Sequence, residues 1–417
     1  MVRSHSVRLV PALLLIACCG GVSASSFQLM EQNASGMGNA YAGSAAATDN
    51  ASTIYFNPAG MTQLQDREVS AGVAAIGPSF KFHNQGSRVG AFSTAGDGGD
   101  AGGWAALPNG YLSWALNKDV YIGVGFGAPF GLKTEYDKPW IGAAQSTMFE
   151  VKTYNVNPSL AYRVNDQLSL GAGVNWQRVE ADYERQATVT PAGALTPVKL
   201  ELDDNAWGWN VGALFTLSPA SKVGLSYRSA IQYHTRGTLN VNHGGAGSGD
   251  ASADLKMPDT FILSAAQKLS DKWELLGDVS WTGWSSIPKV DIMRSTGTLA
   301  QTLDTDFRDT WRVALGSNYQ YTDSWKLKFG LAYDQTPVKG ESTRLVSLPD
   351  NDRVWLSLGA QWMVDRASRL DLGMTYIYIR DSKIDNDQSA APNYRGRVTG
   401  DYSGDIIIFG AQYSMAF

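Results

Sequence analysis

The sequence predicts an all-β transmembrane fold, a fourteen-stranded antiparallel outer-membrane β-barrel with an N-terminal hatch, or plug, inside its lumen. Three observations lead there. Apolar residues recur with a strict period of two over segments of about nine residues, the length a tilted strand needs to cross a hydrocarbon layer. Short turns alternate with long loops along the chain. A stretch rich in small and apolar residues, Ser25 to Asp66, precedes the first alternating segment and alternates poorly itself. The mean hydropathy of −0.19 would suit a soluble protein, but a membrane barrel hides its apolar half in alternation.

The 417 residues suffice for one large or two to three ordinary domains. No apolar run reaches the roughly 18 to 20 residues of a membrane-spanning helix. Residues 1–24 read as a secretory signal. Arg3 and Arg8 supply the positive start, Leu9 to Ala17 the apolar core, and Val22-Ser23-Ala24 the small-residue cleavage site. Leu15-Ile16-Ala17-Cys18 also fits a lipoprotein signal, in which Cys18 would be lipidated; cleavage after Ala24 is the better match. Cys18 and Cys19 both fall in this segment, so the mature chain has no thiol for a disulfide or a Cys-ligated metal. Removing Arg3 and Arg8 takes the 34 basic residues to 32 against 39 acidic ones, a net charge of −7. A basic nucleic-acid footprint is absent.

Residues 25–66 come next. In "DNASTIYFNPAGMTQL", Asp49 to Leu64, Pro58 locks the backbone and removes a donor beside Phe56, so Asn57-Pro58-Ala59-Gly60 breaks regular structure. "GMGNAYAGSAAA", Gly36 to Ala47, suits compact helical turns with close contacts. A solvated periplasmic tail would carry more charge and fewer residues such as Phe27, Leu29, Met30, Ile54, Tyr55, Phe56 and Met61. Fourteen strands enclose a lumen too wide for interior side chains to fill, so the segment is expected to plug it.

The strands run from about Arg67 to Phe417. Leu168, Leu170, Ala172, Val174 and Trp176 oppose Ser169, Gly171, Gly173 and Asn175. Leu327, Phe329, Leu331 and Tyr333 oppose Lys326, Lys328, Gly330 and Asp334; Leu370 to Tyr378 repeats the pattern. Six short turns are expected, at Asn117-Lys118, Val164 to Asp166, Ser218 to Ser221, Ser270-Asp271, Thr322 to Ser324 and Asp365 to Ser368. Seven long loops separate them: Asn84 to Gly103, Gly131 to Thr147, Ala187 to Asn205, Asn240 to Lys256, Ile287 to Asp306, Thr336 to Asp352 and Ser382 to Asp401. A soluble sandwich has no reason for that imbalance. An even strand count places both termini in the periplasm. In the last strand, Ile407, Phe409, Ala411, Tyr413, Met415 and Phe417 share one apolar face. An ending on Tyr413 and Phe417 resembles the assembly signal of bacterial outer-membrane barrels, which the barrel assembly machinery reads.

"SSFQLMEQNASGMGNAYAGSAAATDNASTIYFNPAGM", Ser25 to Met61, resembles the hatch of FadL-type outer-membrane transporters, a family of long-chain fatty acid transporters and channels for toluene and other hydrocarbons. Gly36, Gly38, Asn57, Pro58 and Ala59 carry the hatch likeness. It continues through "FGLKTEY" (Phe130 to Tyr136), "YER" (Tyr183 to Arg185), "LSYRS" (Leu225 to Ser229), "WTGWS" (Trp281 to Ser285), "RVALG" (Arg312 to Gly316) and "SLPDNDRVWLSLG" (Ser347 to Gly359). The resemblance implies a monomer without cofactor or energy-coupling box. A hydrophobic substrate would land on extracellular loops, enter a lumenal pocket and leave sideways through a kinked third strand when the N-terminal segment moves. Phe27 matches the family's aromatic beside the pocket. Gly127, Pro129, Phe130 and Gly131 mark the lateral gate, with Gly125 beside them.

A lipid-like substrate needs an apolar cavity with one or two polar fixing groups, and a carboxylate favours arginine. Strand parity turns Arg185, Arg228 and Arg312 inward. Arg185 also lines up with the family's carboxylate-binding arginine; the second basic partner does not map, and Arg308 in "LDTDFRD" is the stand-in. The competing expectation is that these arginines pair with lumenal acids such as Asp278 or Asp371. Apolar loop residues Ala192 to Leu200 and Trp140-Ile141 are expected either to receive substrate or to pack against lipopolysaccharide.

An enzyme would need a Ser/His or Asp/His arrangement. Only His83, His234 and His243 survive maturation, none in a nucleophile motif, so no catalytic residue or metal ligand is assigned. A general porin would have a charged constriction and little use for Ser25 to Asp66; an adhesin would keep its specificity in the loops.

Overall fold

Residue-by-residue alternation builds the wall. The computed structural model describes residues 27–89, 96–188, 195–390 and 394–417; the expected signal segment and Cys18 lie outside them. Fourteen antiparallel strands follow in chain order. They are β1 (Arg67–Asn84), β2 (Ala105–Ala115), β3 (Val120–Gly127 and Gly131–Glu135), β4 (Met148–Arg163), β5 (Leu168–Thr188), β6 (Leu195–Ser218) and β7 (Ser221–Arg228 and Ile231–Val241). Then come β8 (Gly249–Met257 and Thr260–Lys268), β9 (Trp273–Thr282 and Lys289–Arg294), β10 (Leu299–Asp304 and Thr310–Gln320), β11 (Trp325–Asp334), β12 (Arg353–Met363), β13 (Ser368–Gln388) and β14 (Gly396–Ala416). Each pairs with its neighbour in sequence. Strand β14 closes on β1, from Glu68↔Ala416 to Asn84↔Gly400, so the sheet forms a closed barrel.

The apolar face of each strand is the outer one. Leu170, Val174, Leu331 and Leu372 stand exposed, whereas Ser169, Asn175, Lys328 and Asp371 are buried in the lumen. On β5 the outer apolar band ends near Trp176; Arg178, Glu180, Asp182 and Glu184 follow on the same face. This marks the upper edge of the membrane-spanning part.

Above that edge the loops differ from expectation. Most of Ala187 to Asn205, Asn240 to Lys256 and Ile287 to Asp306 is strand, as are the two ends of Ser382 to Asp401. Gly131 likewise begins strand. In the upper wall β6 and β7 keep pairing from Val198↔Val241 to Asp203↔Arg236. There the alternation is reversed in chemistry. Val198, Leu200, Leu202, Leu239, Ala251 and Ile292 face inward and charged residues face water, so no lipid-facing apolar stripe announced these strands. The loop residues Trp140 and Ile141 are also buried, at 2% and 1% exposure. Trp140 stacks on Tyr136 at 4.2 Å and meets Phe82 at 5.1 Å, so this pair caps the barrel interior and is no landing surface. Val198 and Leu200 likewise point into the barrel, while Ala192 lies outside the described residues.

The N-terminal segment fills the lumen. It contains a 3-10 turn at Met37–Asn39, a short helix at Thr53–Phe56 and a 3-10 helix at Pro58–Gln63. Asn57 is the break between the last two. Its Oδ1 accepts from Ala59 N at 3.1 Å as a cap, and its Nδ2 donates to Ala45 O and to Ala213 O of β6. Gly38 faces Gly359 of β12 so closely that a Cβ on Gly38 would lie 2.7 Å from the Gly359 Cα. The wall is glycine where the hatch backbone touches it, at Gly171, Gly224, Gly330 and Gly373 among others. Charged groups tie the two parts together. Lys328 Nζ reaches Ser35 O and Asp371 Oδ1, both at 2.8 Å, and Arg312 Nη2 donates to Ala40 O at 2.6 Å.

Candidate substrate-binding site

Strand β3 is broken at residues 128–130, and the hatch occupies the break. Gly131 N donates to Phe27 O at 2.8 Å, Leu29 N to Pro129 O at 2.8 Å, and Gln32 Nε2 to Ala128 O at 2.8 Å. A single bridge joins Gln28 and Phe130. Pro129 lacks a donor, and Gly127 lets Gln32 approach where a Cβ would meet its Oε1. The β2–β3 ladder ends at Gly110↔Phe126, although β2 continues to pair with β1 as far as Ile76↔Ala105. Beside the break, therefore, the wall lacks its β2–β3 hydrogen bonds.

Breaks in β7, β8, β9 and β10 lie around the same volume. Ile231, Met257, Trp284, Ile287 and Phe307, all at or beside these breaks, gather with Phe130 around Phe27 in one apolar cluster. Phe27 is 4.6 Å from Trp284, edge to face, and 6.0 Å from Phe130. Above Phe27 opens an almost wholly apolar cavity lined by Val151, Tyr183, Leu200, Ile292 and Leu303. A second cavity adjoins it, sharing Tyr183, Leu200 and Ile292, and adds Arg185, Arg294 and Gln301. The result is an apolar cleft with Phe27 at its base and guanidinium groups at its far end.

Arg185 lies above the apolar outer band. Its Nε donates to Gln301 Oε1 at 3.2 Å. Burial, then the neighbouring Arg395, lowers its pKa to about 10, which leaves it charged at neutral pH. Burial also lowers the pKa of Arg395. Among the described residues no acidic side chain pairs with Arg185. Among these residues Arg228 and Arg312 likewise have no ion pair, but Arg185 alone of the predicted arginines lines this cleft.

Arg228 points inward but serves the hatch. Its Nη2 donates to Tyr55 O at 2.9 Å, it bonds Asn175, and its guanidinium lies 4.2 Å over the Tyr55 ring. Arg312 holds Ala40 O and lies 4.8 Å from the Trp355 ring centroid. Neither lines the cleft. Arg308 is half exposed, donates to Thr336 O at 3.1 Å and lies 3.8 Å from Asp352, so it does not stand in for a second basic ligand. Asp371 is taken by Lys328, and Asp278 by Ser44 and Ser264. Gly36 and Gly38 sit in the hatch turn. A Cβ on Gly36 would lie 2.9 Å from both Asn33 and Tyr41. Tyr413 faces outward, and Phe417 N bonds Arg67 O at 3.1 Å.

Sequence reasoning missed Arg294 and Gln301 because it assigned their strands to loops; Arg395, just before β14, is set near Arg185 only by the fold. A signal was present: Val290, Ile292 and Arg294 alternate with Asp291 and Met293.

The family model for the outer membrane protein transport proteins, OMPP1/FadL/TodX, matches residues 15–417. The chain belongs to this family. It is similar to outer membrane protein P1 of Haemophilus influenzae, at 32% identity over 92% of each chain. It is also similar to the long-chain fatty acid transport protein of Escherichia coli K12, at 27% identity over 94% of each. A Pseudomonas aeruginosa FadL homologue shares the fold with a TM-score of 0.87, 24% identity, and coverage of 94% of this chain and 99% of that one. The toluene transporter TodX of Pseudomonas putida shares it at 0.71 and 17%, covering 92% and 98%. This chain is thus an outer-membrane barrel of a family that takes up hydrophobic compounds.

Proposed function

We propose that this protein carries long-chain fatty acids passively across the outer membrane, without enzymatic chemistry. One observation carries the reading: Arg185, free of any acidic partner among the described residues, stands at one end of an apolar cleft that runs down to Phe27. An acyl chain would lie along Tyr183, Leu200 and Ile292, with its carboxylate at the guanidinium, where a charge-assisted pair is strong and specific. Residues 25–66 act together as the hatch. Withdrawal of Phe27 to Gln32 from the β3 break would open the floor of the cleft beside the unpaired β2 edge. Gly127, Pro129, Phe130 and Gly131 would then form the lateral exit into the outer leaflet. The protein would work as a monomer among lipid and lipopolysaccharide, inserted by the barrel assembly machinery through Tyr413 and Phe417.

A second reading, an aromatic-hydrocarbon channel, is favoured by the aromatic base of the cleft, Phe27, Phe130, Trp284 and Phe307. Binding of oleate and of toluene by the protein in lipid nanodiscs separates the two. Saturable oleate binding supports the first; toluene binding without oleate binding supports the second.

A further inference from the structure

Gln301 is 7% exposed on β10, and its Oε1 accepts from Arg185 Nε at 3.2 Å. A guanidinium can only donate, so this bond fixes which end of the amide faces Arg185. The other end, Nε2, is fully buried and has no partner among the described residues. An amide N–H2 can only donate, and a buried donor left unpaired is costly. Its missing partner is therefore an acceptor, and Gln301 lines the same cavity as Arg185 and Arg294.

We propose that Gln301 is the second head-group residue of this site, donating from Nε2 to one oxygen of a carboxylate while the Arg185 guanidinium donates to the same group. The inference rests on the reading of the cleft as a fatty-acid site and adds to it a determinant of head-group choice. Arg185 supplies charge; Gln301 supplies a neutral donor held in place by Arg185 itself. A carboxylate accepts from both. A methyl ester has no charge to reward the guanidinium and a weaker acceptor for the amide.

The test is equilibrium binding of oleate and methyl oleate to the full chain in nanodiscs, for wild type, Arg185→Ala, Gln301→Met and Gln301→Glu. Gln301→Met keeps the side-chain length and removes the donor, and is expected to weaken oleate about tenfold while leaving methyl oleate within about twofold. Gln301→Glu places an anion beside Arg185 and is expected to abolish oleate binding even if the methionine variant folds poorly. Equal losses for the two ligands in Gln301→Met would make Gln301 merely structural and overturn the inference. Weakening by Arg185→Ala with no effect of either Gln301 change would overturn it too, leaving the fatty-acid reading intact. Absence of oleate binding in wild type would remove both.

Discussion

Gly38→Ala isolates the fit of hatch to wall. Alanine is favoured over glycine by about 1 kcal/mol in a helical interior, and Gly38 has no positive φ, so local propensity predicts no harm. Packing predicts the opposite. The new Cβ would lie 2.7 Å from Gly359 Cα and 2.9 Å from Lys328 Cβ, against an ordinary contact of 3.4 Å or more, so the turn must retreat by about 0.7 Å. Three hydrogen bonds lie within reach of that shift: Arg312 to Ala40 O at 2.6 Å, Lys328 to Ser35 O at 2.8 Å, and Asn39 Nδ2 to Ser317 O at 3.0 Å. Two involve charged donors, and complete loss would cost about 4–7 kcal/mol. Loss of about half raises the unseated hatch population roughly 100-fold. Ion conductance in planar bilayers should rise well above wild type, with faster hydrogen exchange over residues 36–47. Gly277→Ala, where a Cβ meets nothing within 4 Å, is the control and should match wild type. An assembled Gly38→Ala barrel with wild-type conductance and exchange would refute the packing argument.

Other outcomes follow from the same contacts. Burial raises the Glu31 carboxyl from 4.5 to about 7, against the pull of Arg312 and Arg353. Because the folded value lies above the ordinary one, its contribution is fully present below about pH 4.5 and is lost as pH rises through 7. Exchange protection of the hatch should therefore be greater at pH 5 than at pH 8, by up to about 3 kcal/mol, and Glu31→Gln should abolish the difference. Replacing Asn57-Pro58-Ala59 removes a cap and the bonds to Ala45 O and Ala213 O. It should loosen the hatch by about 1–3 kcal/mol and alter uptake while the barrel still assembles, as heat-modifiable gel migration would report. Deleting Phe417 should reduce insertion into outer membranes, measured by fractionation; normal insertion would remove its role as an assembly signal.

Much of this was legible because lipid imposes a simple rule. Facing hydrocarbon, Leu168 to Trp176 and Leu370 to Tyr378 must be apolar at every second position, so strand number and orientation could be read directly. The hatch was legible from Asn57-Pro58 and its small-residue run. Above the membrane both faces meet other surroundings, and the rule inverts. Val198, Leu200 and Leu202 point inward there, so those strands read as loops. Parity turned Arg185, Arg228 and Arg312 inward but could not separate the one facing an apolar cleft from the two facing the hatch. That distinction depends on Tyr55 and Ala40, which lie 173 and 272 residues away from Arg228 and Arg312. Gln301 was out of reach for the same reason, since only the folded chain sets it against Arg185.

The central claim is that Arg185 reads a carboxylate at the end of an apolar cleft. Its most direct test is oleate binding in nanodiscs by wild type and Arg185→Ala, with toluene alongside. Removing a charged donor should weaken oleate by about 1.5–3 kcal/mol, roughly 10- to 150-fold, and leave toluene unchanged. Oleate binding indifferent to the substitution, or toluene binding with no oleate binding, would contradict the account and leave Arg185 a structural charge.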